Sequence, residues 1–406
     1  MGQAFITRRA VIKAPSPSEG YSTIGLENIP LLARLTSPTI FLEEPVSNFG
    51  CTVTSTQAVI AGGKKNDGSA SNVVNFIDDS LFVRNPAPLT QARYNCGCAQ
   101  VGGRTVIVGG EDGNGNSLAS VETYTLTATH MNFADLSVPV TNPAVIEYNN
   151  YVVSGGGFNY STGKCDQHVI GYAYDGATKG GSTLVSARTN ITPAVFQGFL
   201  LFISGRNSSG DVVNTIDAYD TNLRRIATLH LSTAREKPCV VATNDYLFIA
   251  GGKNNLGKPL NSIEVFNKDL APTTSLGLDY LAENLFGFEY GGYAYFGGGN
   301  NEGNIYSNIT AIGPDLEKYS FLATSVPRSS AGAAKVGPYI LIPGGRNSDG
   351  ALNSVDIFKK FDNVLLVPGT KYKLEGMEQE IETNSMISLN FSNSVTGEFK
   401  VTDTYL

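Results

Sequence analysis

Short apolar runs closed by small residues recur along the chain. They read Ala58-Val59-Ile60-Ala61-Gly62-Gly63, Thr105-Val106-Ile107-Val108-Gly109-Gly110, Tyr151-Val152-Val153-Ser154-Gly155 and Leu201-Phe202-Ile203-Ser204-Gly205. Three more follow as Leu247-Phe248-Ile249-Ala250-Gly251-Gly252, Tyr293-Ala294-Tyr295-Phe296-Gly297-Gly298 and Ile340-Leu341-Ile342-Pro343-Gly344-Gly345. Their last glycines are spaced by 47, 45, 50, 47, 46 and 47 residues, a period that marks a repeat architecture. A further glycine stands five residues on in most copies, as at Gly68, Gly115, Gly210, Gly257, Gly303 and Gly350. A β-branched residue then opens a second run, with an aromatic or apolar partner three positions later: Val121/Tyr124, Ile216/Tyr219, Ile263/Phe266, Ile309/Ile312 and Val355/Phe358. Upstream of each glycine run lies another strand, joined through pairs such as Gly102-Gly103, Asn149-Asn150 or Gly291-Gly292. These pairs supply the positive φ that tight hairpins need.

Four short antiparallel strands per 45–50 residues describe a propeller blade. The central strand is apolar on both sides, as expected where blades stack face to face, and a single blade cannot bury that surface alone. No sustained 3.6-residue periodicity supports helices. The fold class expected is all-β: a seven-bladed propeller of four-stranded blades, with a short N-terminal arm and a C-terminal β appendage.

An apolar strand, a glycine doublet, a loop, Val/Ile-x-x-Tyr/Phe and then Ala-Arg before the next unit resembles the Kelch repeat. The Ala-Arg step stands at Ala92-Arg93, Ala187-Arg188 and Ala234-Arg235, with Pro327-Arg328 as a variant. The resemblance spans roughly residues 45–362. The repeat's usual Trp has no counterpart, because the chain contains none; Phe82, Phe133 and Phe321 are expected to take its packing role. The domains expected are an extended attachment arm over 1–37, the propeller over 38–367 and the β appendage over 368–406. Thr39–Pro45 and Asn363–Val367 compete as the strand that closes the last blade.

Composition narrows the function. Gly makes up 45 of 406 residues and the charged residues 16%, a turn-rich and aromatic-rich mix unlike that of disordered chains. A formal charge of −7 speaks against nucleic-acid binding, which needs clustered Lys and Arg. The chain contains no run of 18 apolar residues, so no membrane-spanning helix is expected. The N-terminus has a basic pair but no apolar core behind it, so it does not read as a secretion signal.

The opening Met1–Arg9 is similar to the start of virion proteins from phages of Firmicutes, and Val367–Tyr372 looks like short β modules of phage tail proteins. That resemblance implies attachment to other virion proteins through both ends, with Phe5, Ile6, Arg8 and Arg9 in the N-terminal arm. It implies a homo- or hetero-oligomeric assembly on a particle made in a bacterial cytoplasm. A cytoplasmic protein is the alternative.

Candidate chemistry is sparse. Arg93, Arg188, Arg235 and Arg328 are expected near one channel mouth, as an anion-binding ring or as structural donors to a neighbouring blade. In the third unit the loop after Gly155 reads three residues longer than the others. Its Phe158, Asn159, Tyr160, Lys164, Asp166 and His168 form a candidate binding loop, since loops on rigid scaffolds carry recognition. Cys51, Cys98 and Cys239 repeat at one blade position and read as small core residues. Three histidines, two of them in outer strands, do not make a metal constellation, so no metal or other cofactor is expected. The reading is a non-enzymatic structural or host-recognition component of a phage particle, with a host-surface glycan or protein as its partner. The alternative is a carbohydrate-binding or sugar-acting Kelch protein with its site at the channel mouth.

Overall fold

The computed structural model describes residues 11–13, 22–25, 32–360, 363–366, 371–374, 380–382, 387–390 and 400–403, with side chains from Leu32 to Lys360 except at 33, 320 and 321. Among these residues every regular element is a β-strand. They divide into two compact units, Ser37–Ile357 and the joined termini Met1–Thr36 and Phe358–Leu406.

In the large unit, sets of four antiparallel strands follow one another along the chain, as in Gly97–Val101, Arg104–Val108, Val121–Thr125 and His130–Asn132. Two sets are fused through a 19-residue strand, Pro272–Tyr290, which pairs with Leu260–Phe266 by its first half and with Tyr293–Asn301 by its second. With that strand divided at its middle, the described residues of the large unit form seven sets of four strands. The second strand of each is buried almost throughout, as in Gln57–Ala61 and Phe199–Ile203. Neighbouring sheets interlock there, Leu201, Ile203 and Ile216 packing with Leu247, Ile249 and Phe266. Each such aliphatic side chain contributes roughly 1.5–3 kcal/mol by leaving water.

The last sheet takes its outer strand from the N-terminal side: Leu32–Phe41 lies beside Ser354–Lys360, followed by Tyr339–Pro343 and Ala334–Val336. The splice is reinforced where Leu42 N–H donates to Asn353 O (2.8 Å) and Val46 N–H to Leu352 O (3.0 Å). The rival segment pairs elsewhere, Asn363–Leu366 running antiparallel to Ile387–Asn390. In the terminal unit, Ser22–Gly25 runs parallel to Lys371–Leu374, so arm and appendage share a sheet. Ile387–Asn390 also pairs with Lys400–Asp403. Phe5, Ile6, Arg8 and Arg9 lie outside the described residues.

The glycine doublets differ in register from the sequence reading at two places. The left-handed pairs are Gly62/Gly63, Gly109/Gly110, Gly156/Gly157, Ser204/Gly205, Gly251/Gly252, Gly298/Gly299 and Gly344/Gly345. The third and sixth therefore sit one or two residues later than the apolar runs suggested. Counted from Gly157, the loop to Val169 is longer than the corresponding loop from Gly110 to Val121 by one residue, not three. A Cβ on the first residue of a pair would press on a carbonyl of the next repeat, 2.6 Å from Val140 O at Gly109 and 2.6 Å from Ala282 O at Gly251. Glycine is needed both for the positive φ and for that approach. Ser204 is the exception, and its Oγ turns the approach into hydrogen bonds to Val213 O (3.0 Å) and Arg235 O.

Phe133 packs against Tyr172 at 6.4 Å between ring centroids, consistent with the expected role in place of Trp. Phe82, by contrast, is 64% exposed, because it sits in the turn that follows Val74–Asp78.

Candidate functional site: a layered channel mouth

Three consecutive residues at the start of the inner stretch of each repeat, before the innermost strand or, at 283–285, within the strand Pro272–Tyr290, build three layers. The middle layer is Asn48, Asn95, Asn142, Asn190, Lys237, Asn284 and Ser330, all at φ between 47° and 57°. Each stands fifteen residues before the second glycine of its doublet. Asn enters the left-handed region more readily than other non-glycine residues, which accounts for its prevalence. The turn aims five of the seven N–H groups around the ring: Asn95 to Asn48 O (2.8 Å), Asn142 to Asn95 O (2.9 Å), Lys237 to Asn190 O (2.9 Å), Ser330 to Asn284 O (3.1 Å) and Asn48 to Ser330 O (3.3 Å).

The outer layer consists of bridged pairs: Ser47 with Lys64, Tyr94 with Glu111, Thr141 with Phe158, Thr189 with Arg206, Glu236 with Lys253, Glu283 with Asn300 and Ser329 with Arg346. The inner layer is apolar throughout: Phe49, Cys96, Pro143, Ile191, Pro238, Leu285 and Ala331. Outer and middle layers enclose a cavity of about 630 Å³. Beneath it, middle and inner layers enclose about 260 Å³. The mouth is thus a polar basin above an apolar floor.

Its carboxylates are tied down. Arg206 grips Glu236 through Nε (2.8 Å) and a terminal nitrogen (2.7 Å), and the Asn190 amide adds a third bond (2.9 Å). Burial works to raise the Glu236 pKa, yet the Arg206 and Asn190 bonds outweigh it and leave it below the ordinary glutamate value. Glu283 pairs with Lys253 Nζ at 2.8 Å. Across the mouth, buried Glu111 accepts from the Asn95 amide (2.9 Å), with the phenols of Tyr94 and Tyr160 near it. Burial, with Glu111 beside them, pushes both phenols up to about 12, so they remain donors.

The four arginines named from the sequence do not open on this basin. Arg93, Arg188, Arg235 and Arg328 are fully buried. Each pairs with a carboxylate in the third strand of its sheet: Glu122, Asp217 (2.9 Å), Glu264 (2.8 Å) and Asp356 (2.6 Å). They also donate to main-chain carbonyls, Arg235 to Gly251 O and Ser262 O at 3.0 Å each. The carboxylates in turn cap the preceding segment, Glu122 accepting from Thr90 N–H (2.7 Å) and Asp217 from Val185 N–H (3.0 Å). Where the repeat lacks Arg, at Val46, Val140 and Ala282, the paired position holds Asn75, Ile170 and Thr310. Buried charges occur only as pairs at these positions, as the cost of an unpaired buried ion demands.

The candidate loop lies on the mouth side. Phe158–Asn159 pairs with Lys164–Cys165 in a small hairpin, and Phe158 belongs to the outer layer. Tyr160 is 47% exposed and its ring meets Phe158 edge-on at 5.2 Å. Asn159 is buried and shapes the turn through Ser161 and Thr162. Lys164 and His168 are exposed, His168 holding Asp166 at 2.6 Å. None of the six lines the cavity of about 630 Å³; Phe158 joins the outer layer through its bridge to Thr141, with Tyr160 packed on it. Sequence reasoning missed the asparagine layer, although its constant offset from the doublets was visible. Among the described residues no cluster of three or more His, Cys, Asp or Glu side chains could hold a metal ion.

The Kelch motif model matches residues 92–128 and 234–269, stretches that each begin at an Ala-Arg step and carry one buried arginine–glutamate pair. The fold is a Kelch-repeat β-propeller. The solved structure of YjhT aligns over 90% of this chain and 99% of its own with a TM-score of 0.52 at 11% identity, a likeness of fold alone. No curated protein matches the sequence at a significant level. The layered mouth of the propeller is a concave and polar part of its described surface.

Proposed function

We propose that this Kelch propeller is a non-enzymatic recognition module that binds a glycan at its channel mouth, and that its terminal segments carry it on a phage particle. The observation that carries the glycan reading is the cavity of about 630 Å³ lined by Asn48, Asn95, Asn190 and Asn284 together with charged groups on the outer layer. Amides and fixed charges around a concave site suit hydroxyl-rich ligands, and a few convergent polar groups supply orientation. Tyr94 in the outer layer and Tyr160 near it offer aromatic surface beside the cavity. Glycosidic cleavage calls for a carboxyl group with a raised pKa, and the bonds at Glu236 work in the opposite direction. The particle reading rests on the resemblance of Met1–Arg9 and Val367–Tyr372 to virion proteins.

The test is a glycan array probed with the full-length protein and with Ser348→Trp, which fills the cavity from an exposed loop. Binding to a defined glycan that the variant loses at unchanged melting temperature is expected. Binding to no glycan overturns the ligand reading. Immunogold labelling of purified particles tests the second half, and unlabelled particles overturn it.

A further inference from the structure

The end of the propeller opposite the mouth carries an apolar patch on its first three sheets. In the second sheet Arg104–Val108 runs toward the mouth, and Val121–Thr125 returns antiparallel to it with Thr125 opposite Arg104. The hairpin Gly102-Gly103 and the turn that opens at Leu126 therefore lie at the far end. Leu126, Met131 and Tyr174 are exposed there, Tyr174 at 57%. The hairpin joins them: a Cβ on Gly103 would meet Leu126 Cδ1 at 3.4 Å, and one on Gly102 would meet Tyr174 Cβ at 2.9 Å. Arg104 links Tyr174 to Met131, its guanidinium 5.8 Å from the ring centroid and one terminal nitrogen 3.0 Å from Met131 Sδ. Arg84 borders Leu126 by donating to its carbonyl oxygen (3.0 Å). Phe82, exposed and two residues before Arg84, falls on the same side of the chain.

The repeat supplies its own control. The turn position of Leu126 and Tyr174 holds Asp79, Thr221, Lys268, Pro314 and Lys360 in the other five copies, so the turn does not call for a large apolar side chain. The position of Arg104 holds Tyr151, Phe199, Tyr246, Tyr293 and Tyr339 in five other copies, so an arginine there does not serve the strand. Tyr, Met and Arg are enriched where proteins meet, and Lys, Glu and Asp are depleted. Contiguous apolar surface of this kind marks an interaction site.

Charge selects the partner. The donors of Arg84 and Arg104 go to the Gln57 side-chain oxygen (3.4 Å), the Leu126 carbonyl and the Met131 thioether, and neither arginine forms an ion pair among the described residues. Arg84 does act on Asp78, but that carboxylate is already bonded by the Ser80 hydroxyl (2.6 Å) and the Phe82 N–H (3.0 Å). Asp175, beside Tyr174, accepts from Ala177 N–H within its own turn (2.9 Å). We infer that this face docks an acidic segment of a partner protein, its carboxylates meeting Arg84 and Arg104 and an aromatic or aliphatic side chain packing against Leu126 and Tyr174. The patch lies on the opposite side from the basin, so the inference stands independently of the glycan reading.

The experiment probes an array of short peptides of varied acidic, basic and apolar content with the full-length protein. Retained peptides are then titrated against the wild type, the double variant Leu126→Thr/Tyr174→Thr, which copies Thr221, and Arg104→Gln. Peptides that combine Asp or Glu with Leu, Ile, Phe or Tyr are expected. Each patch variant is expected to weaken their binding about tenfold or more at unchanged melting temperature, and binding is expected to fall as salt rises. Ser348→Trp at the mouth is expected to bind them as the wild type does. Retention of no peptide, retention chiefly of basic ones, or undiminished binding by the double variant overturns the inference. A fall in the mass of the full-length protein by light scattering in the double variant would give the patch to a second copy instead. Binding to phosphatidylserine vesicles that the double variant loses would give it to a membrane, and either result also overturns the inference.

Discussion

Replacing Arg235 by valine, Glu264 by isoleucine, and both together places in one blade the pair that another blade already carries as Val140 and Ile170. Arg235 is fully buried and its guanidinium meets Glu264 Oε1 at 2.8 Å, Ser262 Oγ at 3.0 Å and two carbonyls. Glu264 also caps Ser232 N–H (2.7 Å) and Thr233 N–H (3.1 Å). Either single change strands a buried charge, which costs about 3–5 kcal/mol. The double variant strands none, and keeps only the loss of bonds to main-chain groups, roughly 0.5–1.5 kcal/mol for each bond not remade. A coupling of at least about 2 kcal/mol in the double-mutant cycle is therefore expected, within the range found for contacting pairs. Urea unfolding of the full-length protein followed by circular dichroism measures it, provided the slopes agree among variants. Strict additivity of the two single effects would refute the view that these arginines and carboxylates are retained as pairs.

Three further outcomes follow from the packing. Gly251→Ala should destabilise by at least about 1–3 kcal/mol, the cost of the backbone strain, since φ is 60° and Ala282 O also lies 2.6 Å from the new Cβ. Gly251→Ser should cost less, because the equivalent Ser204 bonds the carbonyl it faces, and a serine variant no better than alanine would contradict this. Burial pushes the thiols of Cys51 and Cys239 up to about 12, so neither should react quickly with a disulfide reagent at pH 8 until the protein unfolds; rapid native labelling of either, mapped by mass spectrometry, would refute it. Glu122 and Glu236 hold pKa values below the ordinary 4.5. Burial opposes this at both, but the Thr90 N–H, Arg93 and His130 at Glu122, and Arg206 and Asn190 at Glu236, prevail. A depressed folded-state pKa contributes stability that is present above 4.5 and lost as pH falls through the folded value. Urea midpoints should thus hold near neutrality and fall below pH 4.5, and a flat acid limb would exclude the contribution.

Much of this protein was legible in its residues because the controlling interactions are local or repeat at a fixed period. Apolar runs bounded by glycine set strand positions, hairpin pairs set their pairing, and the 47-residue period identified blades. The same local logic misplaced the doublets of the third and sixth units, where Ser154-Gly155 and Gly297 imitate the left-handed pair while lying within strands. Of the candidate binding loop, Phe158 bridges to Thr141 in the outer layer of the mouth and Tyr160 packs on it, which the sequence did not indicate. The four arginines were recognised as a periodic set, but one residue type served two readings, a ring of anion sites or a set of buried donors. Partners 28 or 29 residues away in sequence decided between them.

What the sequence determined on its own is the unit: a four-stranded sheet whose central strand is apolar on both faces and whose doublets demand a close neighbour. Tertiary structure alone decided the closing strand, since Thr39–Pro45 and Asn363–Val367 offer equivalent patterns and backbone pairing does not read side chains. It also decided the mouth. Asn48 and Ser330 are 282 positions apart in the chain, yet their main chains hydrogen-bond around the channel, and the charge left over there depends on which neighbours Arg206 and Lys253 find. Pairing of charges around the mouth, such as Arg206 with Glu236 and Lys253 with Glu283, is a property of the assembled ring and could not be read from the sequence.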